Sequence, residues 1–240
     1  MRIAVLSDIH GNLPALEAVL SALAPYDAVW QLGDICGYGP QPDEVVARLA
    51  AENALGVRGN HDSAAIGQLD TDSFNDDARA AVEWTAERIS PQTRDWLSTL
   101  PLVSVDEPFT LVHGSPRDPT WEYVYSASIA RANMSAFTTP HCLVGHTHIP
   151  AVFRQRGSRV EAVQGAVAAG CEFGTERLVV NPGSVGQPRD GDPRASGLIM
   201  DTDAHTLEWR RVEYPVERVQ KLMTQLGLPR RLITRLQFGL

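Results

Sequence analysis

The sequence predicts an α/β fold in which two sheets pack together with helices outside. Three observations predict it. Short apolar stretches alternate with helix-period stretches through the first half of the chain, and short strands punctuated by Gly, Pro, Asn and Asp fill much of the second. A hydrophobic content of 43% over 240 residues is ample for a core of two or more layers. The length suits one large domain, residues 1–240.

The elements follow in order. Arg2 to Ser7 reads as an apolar strand running into Asp8-Ile9-His10-Gly11-Asn12. Leu13, Leu16, Val19, Leu20 and Leu23 then repeat at helical spacing, with Asn12 as the N-cap and Pro14 tolerated in the first turn. Asp27 to Leu32 is a second strand ending at Gly33-Asp34, and a Gly- and Pro-rich loop leads to a helix over about 43–52. Ala54 to Arg58 is a third strand, ending at Gly59-Asn60-His61-Asp62. Residues 62–100 turn helical, strongest over Asp76 to Ile89 with a break at Ser90-Pro91, and read as a helical insert beside the site. Leu102 to Val105 and Phe109 to Val112 form a strand pair, the second ending at His113-Gly114. A helix over about 126–137 precedes the strand Cys142-Leu143-Val144, which ends at Gly145-His146-Thr147-His148. Ala151 to Gln155, Arg159 to Val163, Arg177 to Val180, Ser196 to Asp201 and Thr206 to Val212 read as an antiparallel half, closed by a helix over about 216–225.

Composition excludes several classes. The net charge is −8 and no basic run appears, which argues against a nucleic-acid footprint. No apolar stretch approaches the ~20 residues that span a bilayer, and the start lacks the pattern of a signal peptide, so a cytoplasmic protein is expected. Cys36, Cys142 and Cys171 are odd in number and widely spaced, which indicates neither a disulfide framework nor a thiolate metal site. They read as small buried fillers, with Cys36 singled out because it follows Asp34 by two residues.

Five clusters stand at apparent strand ends, and five of the seven histidines fall in four of them, leaving His141 and His205 outside. A lone histidine on an apolar face is more often a packed core residue than a ligand, but here packing would have to explain several at once. Because a strand alternates its side chains, Asp8 and His10 are expected to point to one side, toward one metal ion. His146 and His148 share the same spacing, which favours joint coordination. The adjoining glycines permit tight turns where ligands converge.

These blocks resemble the calcineurin-like metallophosphoesterase superfamily, whose pattern is D-x-H, G-D, G-N-H-[DE], H and G-H-x-H; all five stand in order across residues 8–148. The block Ser7 to Asn12 and the run Asn181 to Pro188 are similar to the compact bacterial and archaeal phosphodiesterases, including the group related to diadenosine tetraphosphatases. The resemblance implies a four-layer α/β/β/α sandwich of two mixed sheets. It implies two divalent metal ions, one held by Asp8, His10, Asp34 and His148, the other by Asp34, Asn60, His113 and His146, with Asp34 bridging. Such donors suit Mn, Fe, Zn or Ni, and a bridging carboxylate suits the ~3.5 to 4 Å separation of two-metal phosphoester chemistry. It further implies in-line attack on phosphorus by a hydroxide bridging the metals, with His61 donating a proton to the leaving group.

One departure narrows the reading. Protein Ser/Thr phosphatases continue as G-D-x-V-D-R-G, whereas here Gly37 and Tyr38 stand in place of the aspartate and arginine. Asp62 is left either to orient His61 or to cap the following helix. Asn12, Arg58, Arg117 and Arg189 are candidates to bind the substrate's phosphate, and Tyr38, Trp121 and Tyr123 to stack on a nucleobase. The expected activity is hydrolysis of a phosphodiester or nucleotide phosphoanhydride in a phosphorylated small molecule or nucleotide. The alternatives are a phosphomonoesterase, a Ser/Thr protein phosphatase, a nuclease, a non-catalytic scaffold such as the retromer subunit of this fold, and a redox sensor built on Cys36. The oligomeric state, a homo-oligomer included, and closure of residues 62–100 over substrate stay open.

Overall fold

The computed structural model describes residues 1–240. Its first half runs β1 (Arg2–Leu6), α1 (Leu13–Leu23), β2 (Ala28–Leu32), α2 (Pro42–Ala51), β3 (Leu55–Val57), α3 (Asn60–Ala65), α4 (Asp76–Ala86), α5 (Pro91–Thr99), β4 (Val103–Asp106) and β5 (Phe109–Val112). The remainder is α6 (Ala127–Asn133), β6 (His141–Leu143), β7 (Ala151–Arg156), β8 (Arg159–Ala162), α7 (Ala166–Ala169), β9 (Cys171–Glu172), β10 (Leu178–Asn181), β11 (Ala195–Asp201), β12 (Thr206–Val212), α8 (Val216–Gln225) and α9 (Arg230–Arg235).

Two six-stranded sheets form, ordered β3-β2-β1-β11-β12-β9 and β4-β5-β6-β10-β7-β8. Both are mixed. In the first, β1, β2 and β3 are parallel and β11 joins β1 antiparallel. In the second, β5, β6 and β10 are parallel, with β7 antiparallel to β10. The antiparallel expectation for the second half therefore fails at β10, which pairs with β6 through Leu178 opposite His141. Strand pattern alone does not reveal a partner across an intervening hairpin.

Alternation along each strand builds the layers. Ile3 and Val5 of β1 face the inter-sheet core with Trp30, Leu32, Leu111, Leu143 and Val180, while Ala4 and Leu6 face α1 through Leu16, Val19 and Leu20. Val112, Cys142 and Val179 turn outward beneath α6 and meet Ala130 and Met134. The result is the four-layer α/β/β/α sandwich. Asn12 caps α1, its Oδ1 accepting from the Ala15 amide at 3.2 Å.

The helical residues after β3 begin earlier than expected, because Asn60, His61 and Asp62 themselves open α3. Short elements escaped the sequence reading: α7, β9 and α9 span four, two and six residues, too few to show a period. No helix is long and apolar enough to cross a membrane.

Candidate metal centre

The parallel strands aim both sheets at one edge. The loops after β1 and β2 carry Asp8 and His10, and Asp34, and the first residue of α3, after β3, is Asn60; the loops after β5 and β6 carry His113, His146 and His148. This is the carboxyl end of the parallel strands, the usual location of ligand sites in such sheets. All seven side chains are buried.

Strand alternation does not place them. β1 ends at Leu6, and Asp8 and His10 adopt left-handed backbone at φ 52° and 49°. Asp34, His146 and His148 do the same at 52°, 65° and 59°. Such a conformation costs an L-residue about 1–2 kcal/mol, less for Asp and His, and concentrates at functional sites. The expectation of one-sided alternation at the strand end is therefore replaced by tight left-handed turns. His146 and His148 also part company. Asp8, His10, Asp34 and His148 form one group able to hold a metal, and Asp34, His113 and His146 form another.

Asp34 joins the groups: its Oδ2 lies 3.6 Å from His10 Nε2 and 3.3 Å from His113 Nε2. Asn60 Oδ1 lies 3.1 Å from His113 Nε2, which places the amide with the second group. Three imidazoles are oriented from behind by backbone carbonyls. His10 Nδ1 donates to Cys36 at 3.0 Å, His113 Nδ1 to Leu32 at 2.8 Å and His148 Nδ1 to Gln187 at 2.5 Å. With Nδ1 protonated, the Nε2 lone pairs of neutral His10 and His148 face each other at 3.2 Å, and Asp8 Oδ1 meets His148 Nε2 at 3.3 Å with no hydrogen-bond donor. Lone pairs and a carboxylate converging without a donor call for a cation between them. The donor set fits a metal.

The electrostatics agree. Burial raises Asp8 to about 7 and drives His10, His146 and His148 well below the ordinary imidazole value. Burial also opposes charge on His113, but Asp34 and then Asp8 more than offset it and hold His113 at about 9. Burial works against the Asp34 carboxylate too, and His113 and His61 more than compensate, leaving it well below the usual range.

His61 lines a cavity of about 60 Å³ with Asp34, Asn60, His146 and His148. Its ring packs between Tyr38, centroids 4.4 Å apart, and Phe74, 5.0 Å apart. Burial, partly offset by Asp34, lowers it to about 4. Its Nδ1 has no partner and faces Gly37, where an added Cβ would sit 2.3 Å away. The position that carries the orienting aspartate in protein phosphatases thus touches His61 and offers it nothing. Asp62 does not substitute. Its carboxylate accepts from the amides of Cys36 and Gly59, both at 2.9 Å, and so ties the α3 N-terminus to the loop after β2.

Among the substrate candidates, only Arg189 lines the cavity. Asn12 is occupied by its cap and by the Gly186 carbonyl at 3.0 Å, Arg117 pairs with Glu122 at the surface, and Arg58 is not in the lining. Cys36 is fully buried and burial holds its thiol well above the ordinary value, which removes the basis for a redox sensor. Of the aromatic candidates, Tyr38 and Trp121 pack inside the cavity wall, while Tyr123 is 42% exposed and stacks on His146 at 3.9 Å. Residues 73–78 supply Phe74 and Asn75 to the same wall, while Ala81, Val82 and Leu97 pack the helices into the core.

The run Asn181 to Pro188, quoted above only for resemblance, braces the site. Asn181 Nδ2 donates to the Gly145 carbonyl at 2.8 Å, Ser184 Oγ to the Asp8 carbonyl at 2.8 Å, and Gln187 supplies the carbonyl that orients His148. Reading functional side chains alone missed Gln187, because it acts through its backbone.

Fold and site together define a metal-dependent phosphoric ester hydrolase. The chain belongs to the calcineurin-like phosphoesterase superfamily, whose domain it matches over residues 1–205. It is 46% identical to a metallophosphoesterase from Sphaerobacter thermophilus, whose crystal structure superposes with a TM-score of 0.91 and covers 100% of this chain and 99% of that one. The uncharacterized protein MJ0912 of Methanocaldococcus jannaschii is 35% identical, covering 99% of this chain and 98% of the relative. The phosphodiesterase YfcE of Escherichia coli is 30% identical over 83% of this chain and 87% of its own.

Proposed function

We propose that the chain is a dinuclear metal-dependent phosphoesterase acting on a phosphodiester or nucleotide phosphoanhydride. The observation that carries the reading is the position of Asp34, one carboxylate shared by two buried donor groups. Asp8, His10, Asp34 and His148 hold one divalent ion, and Asp34, Asn60, His113 and His146 hold the other, drawn from Mn, Fe, Zn or Ni. When bound, the two ions supply a nucleophilic water at neutral pH and offset charge on the phosphoryl oxygens. Only two of these seven donors are anionic, so the loaded centre is net positive and attracts phosphate.

The protein's own residues then position and protonate. The His10, His113 and His148 carbonyl bonds fix the donor atoms in advance, which avoids reorganisation during the reaction. His61 gives a proton to the leaving oxygen. With burial holding it at about 4 it is neutral at neutral pH, and a phosphate anion beside it raises its affinity for that proton. Tyr38 and Phe74 hold its ring and exclude water from it. The similarity to a protein named as a phosphodiesterase supports a diester, and Gly37 in place of an orienting aspartate argues against a phosphoprotein substrate. We read residues 1–240 as one working domain, with residues 62–100 as the fixed wall of the site.

The test is turnover by chelator-stripped protein, titrated with each metal, on diadenosine tetraphosphate, bis-p-nitrophenyl phosphate and p-nitrophenyl phosphate. Metal-restored hydrolysis of the first two, lost in Asp34→Asn, is expected. Preference for the monoester, or two bound equivalents of metal without turnover, overturns the reading.

A further inference from the structure

A second cavity, of about 550 Å³, adjoins the one at the centre. Tyr38, Asn75, Tyr123 and Arg189 line both, so a molecule seated at Asp34 extends directly into it. Its outer wall comes from α9, through Arg231, Leu232 and Arg235, and from Asp76 and Asp77 at the start of α4. Nothing in the local sequence of α9 marks it as part of a site.

The charges in this cavity are unevenly matched. Arg231 stands 4.0 Å from Asp77 and is balanced by it. Arg189 is half-buried and donates Nε and Nη2 to the neutral Gln187 Oε1 at 3.3 and 2.8 Å, while its guanidinium lies 5.6 Å from the Tyr38 ring centroid. Arg235 is also half-buried; its Nε donates to the terminal oxygen of Leu240, the last residue of the sequence, and its two Nη groups point to no hydrogen-bond acceptor. Arg189 makes no ion pair and Arg235 meets no aspartate or glutamate side chain, and Asp76 is the unpaired acidic side chain of the lining. Burial first, and the neighbouring Arg189 second, push Arg235 down to about 10. In a protein of net charge −8, two such cations beside the reaction cavity have an evident use. Their planar forks match the oxygens of a phosphate.

We infer that Arg189 and Arg235 form a second anion subsite, which holds a phosphate of the substrate other than the one cleaved at the Asp34 centre. The substrate class is thereby narrowed to molecules with two or more phosphoryl groups, such as nucleoside or dinucleoside polyphosphates. The cleavage half of this inference rests on the function proposed above, whereas the binding half does not.

The experiment has two arms. In the first, inorganic tripolyphosphate is titrated calorimetrically into chelator-stripped protein, so that binding is read without turnover. Saturable binding is expected, weakened about tenfold or more in Arg235→Gln and further in the Arg189→Gln/Arg235→Gln pair. Arg159→Gln, at an 81% exposed side chain on β8, serves as the control for lost surface charge. Arg235→Lys keeps the charge and stem, guards against a folding defect, and is expected to retain more binding than Arg235→Gln. In the second arm, kcat/KM of the metal-loaded protein is compared for diadenosine tetraphosphate and bis-p-nitrophenyl phosphate. Arg235→Gln is expected to lower the ratio of the two about tenfold. Equal tripolyphosphate binding in the parent and Arg235→Gln overturns the subsite, as does an unchanged ratio. Absence of turnover on both substrates, with Arg235-dependent binding intact, refutes the phosphoesterase reading and leaves the subsite standing.

Discussion

Replacing Gly37 with alanine tests the role of His61 without altering any metal donor. Gly37 sits at φ 84°, where an L-side chain costs about 1–2 kcal/mol. The new Cβ would lie 2.3 Å from His61 Nδ1 and 2.9 Å from its Cγ, against an ordinary contact of 3.4 Å or more. Relief therefore requires the imidazole to move by about 1 Å, and a misplacement of that size costs on the order of 10²-fold in rate. His61 is hemmed in by Tyr38 and Phe74, so it cannot step aside within its present position. The expected result is a loss of kcat of about 10²-fold with metal content unchanged, and a fall in stability of about 1–2 kcal/mol in urea unfolding. Metal content is read by elemental analysis and turnover with bis-p-nitrophenyl phosphate. Undiminished kcat would refute the assignment of proton transfer to His61, and loss of metal would show that the loop carrying Asp34 had moved instead.

Three further outcomes are expected. Asp34→Asn removes the anion shared by both donor groups, and should cut bound metal and lower turnover by about 10³-fold, or ~4 kcal/mol of barrier, as read by elemental analysis and initial rates. His141 lies between Phe109 and Phe173 with its Nδ1 unpartnered, and burial, with Arg177 and His205, lowers it to about 4. The unfolded chain therefore takes up this proton first, so stability falls as pH drops from 6.5 toward 4, and His141→Phe should flatten that part of a urea-unfolding pH series. Leu16→Ala opens a cavity in the fully buried face of α1 and should destabilise the protein by about 3 kcal/mol in denaturant unfolding.

The sequence by itself determined the α/β layering of the first half and singled out seven residues whose buried side chains gather at one edge of the sheets. Apolar period is local, and β1, β2, α1 and α2 fall within two residues of where that period places them. Asp8, His10, Asp34, Asn60, His113, His146 and His148 were legible because their side-chain chemistry is unusual at strand ends. How they meet was not. Left-handed turns at Asp8 and His10, rather than strand alternation, aim the first pair, and although Asp and His tolerate that backbone better than most residues, their presence does not by itself reveal it. The bonds that orient His10, His113 and His148 end on the carbonyls of Cys36, Leu32 and Gln187, which every residue possesses and which are therefore silent in a sequence. Asp62 shows the same limit, since only its contacts with Cys36 and Gly59 separate a brace from a catalytic partner. Arg235 stands 201 residues after Asp34, and only the packing of α9 beside α4 brings its charge to the cavity. Residue identity sets which chemistry a chain offers, and long-range packing sets which of those groups share one volume and one electrostatic field.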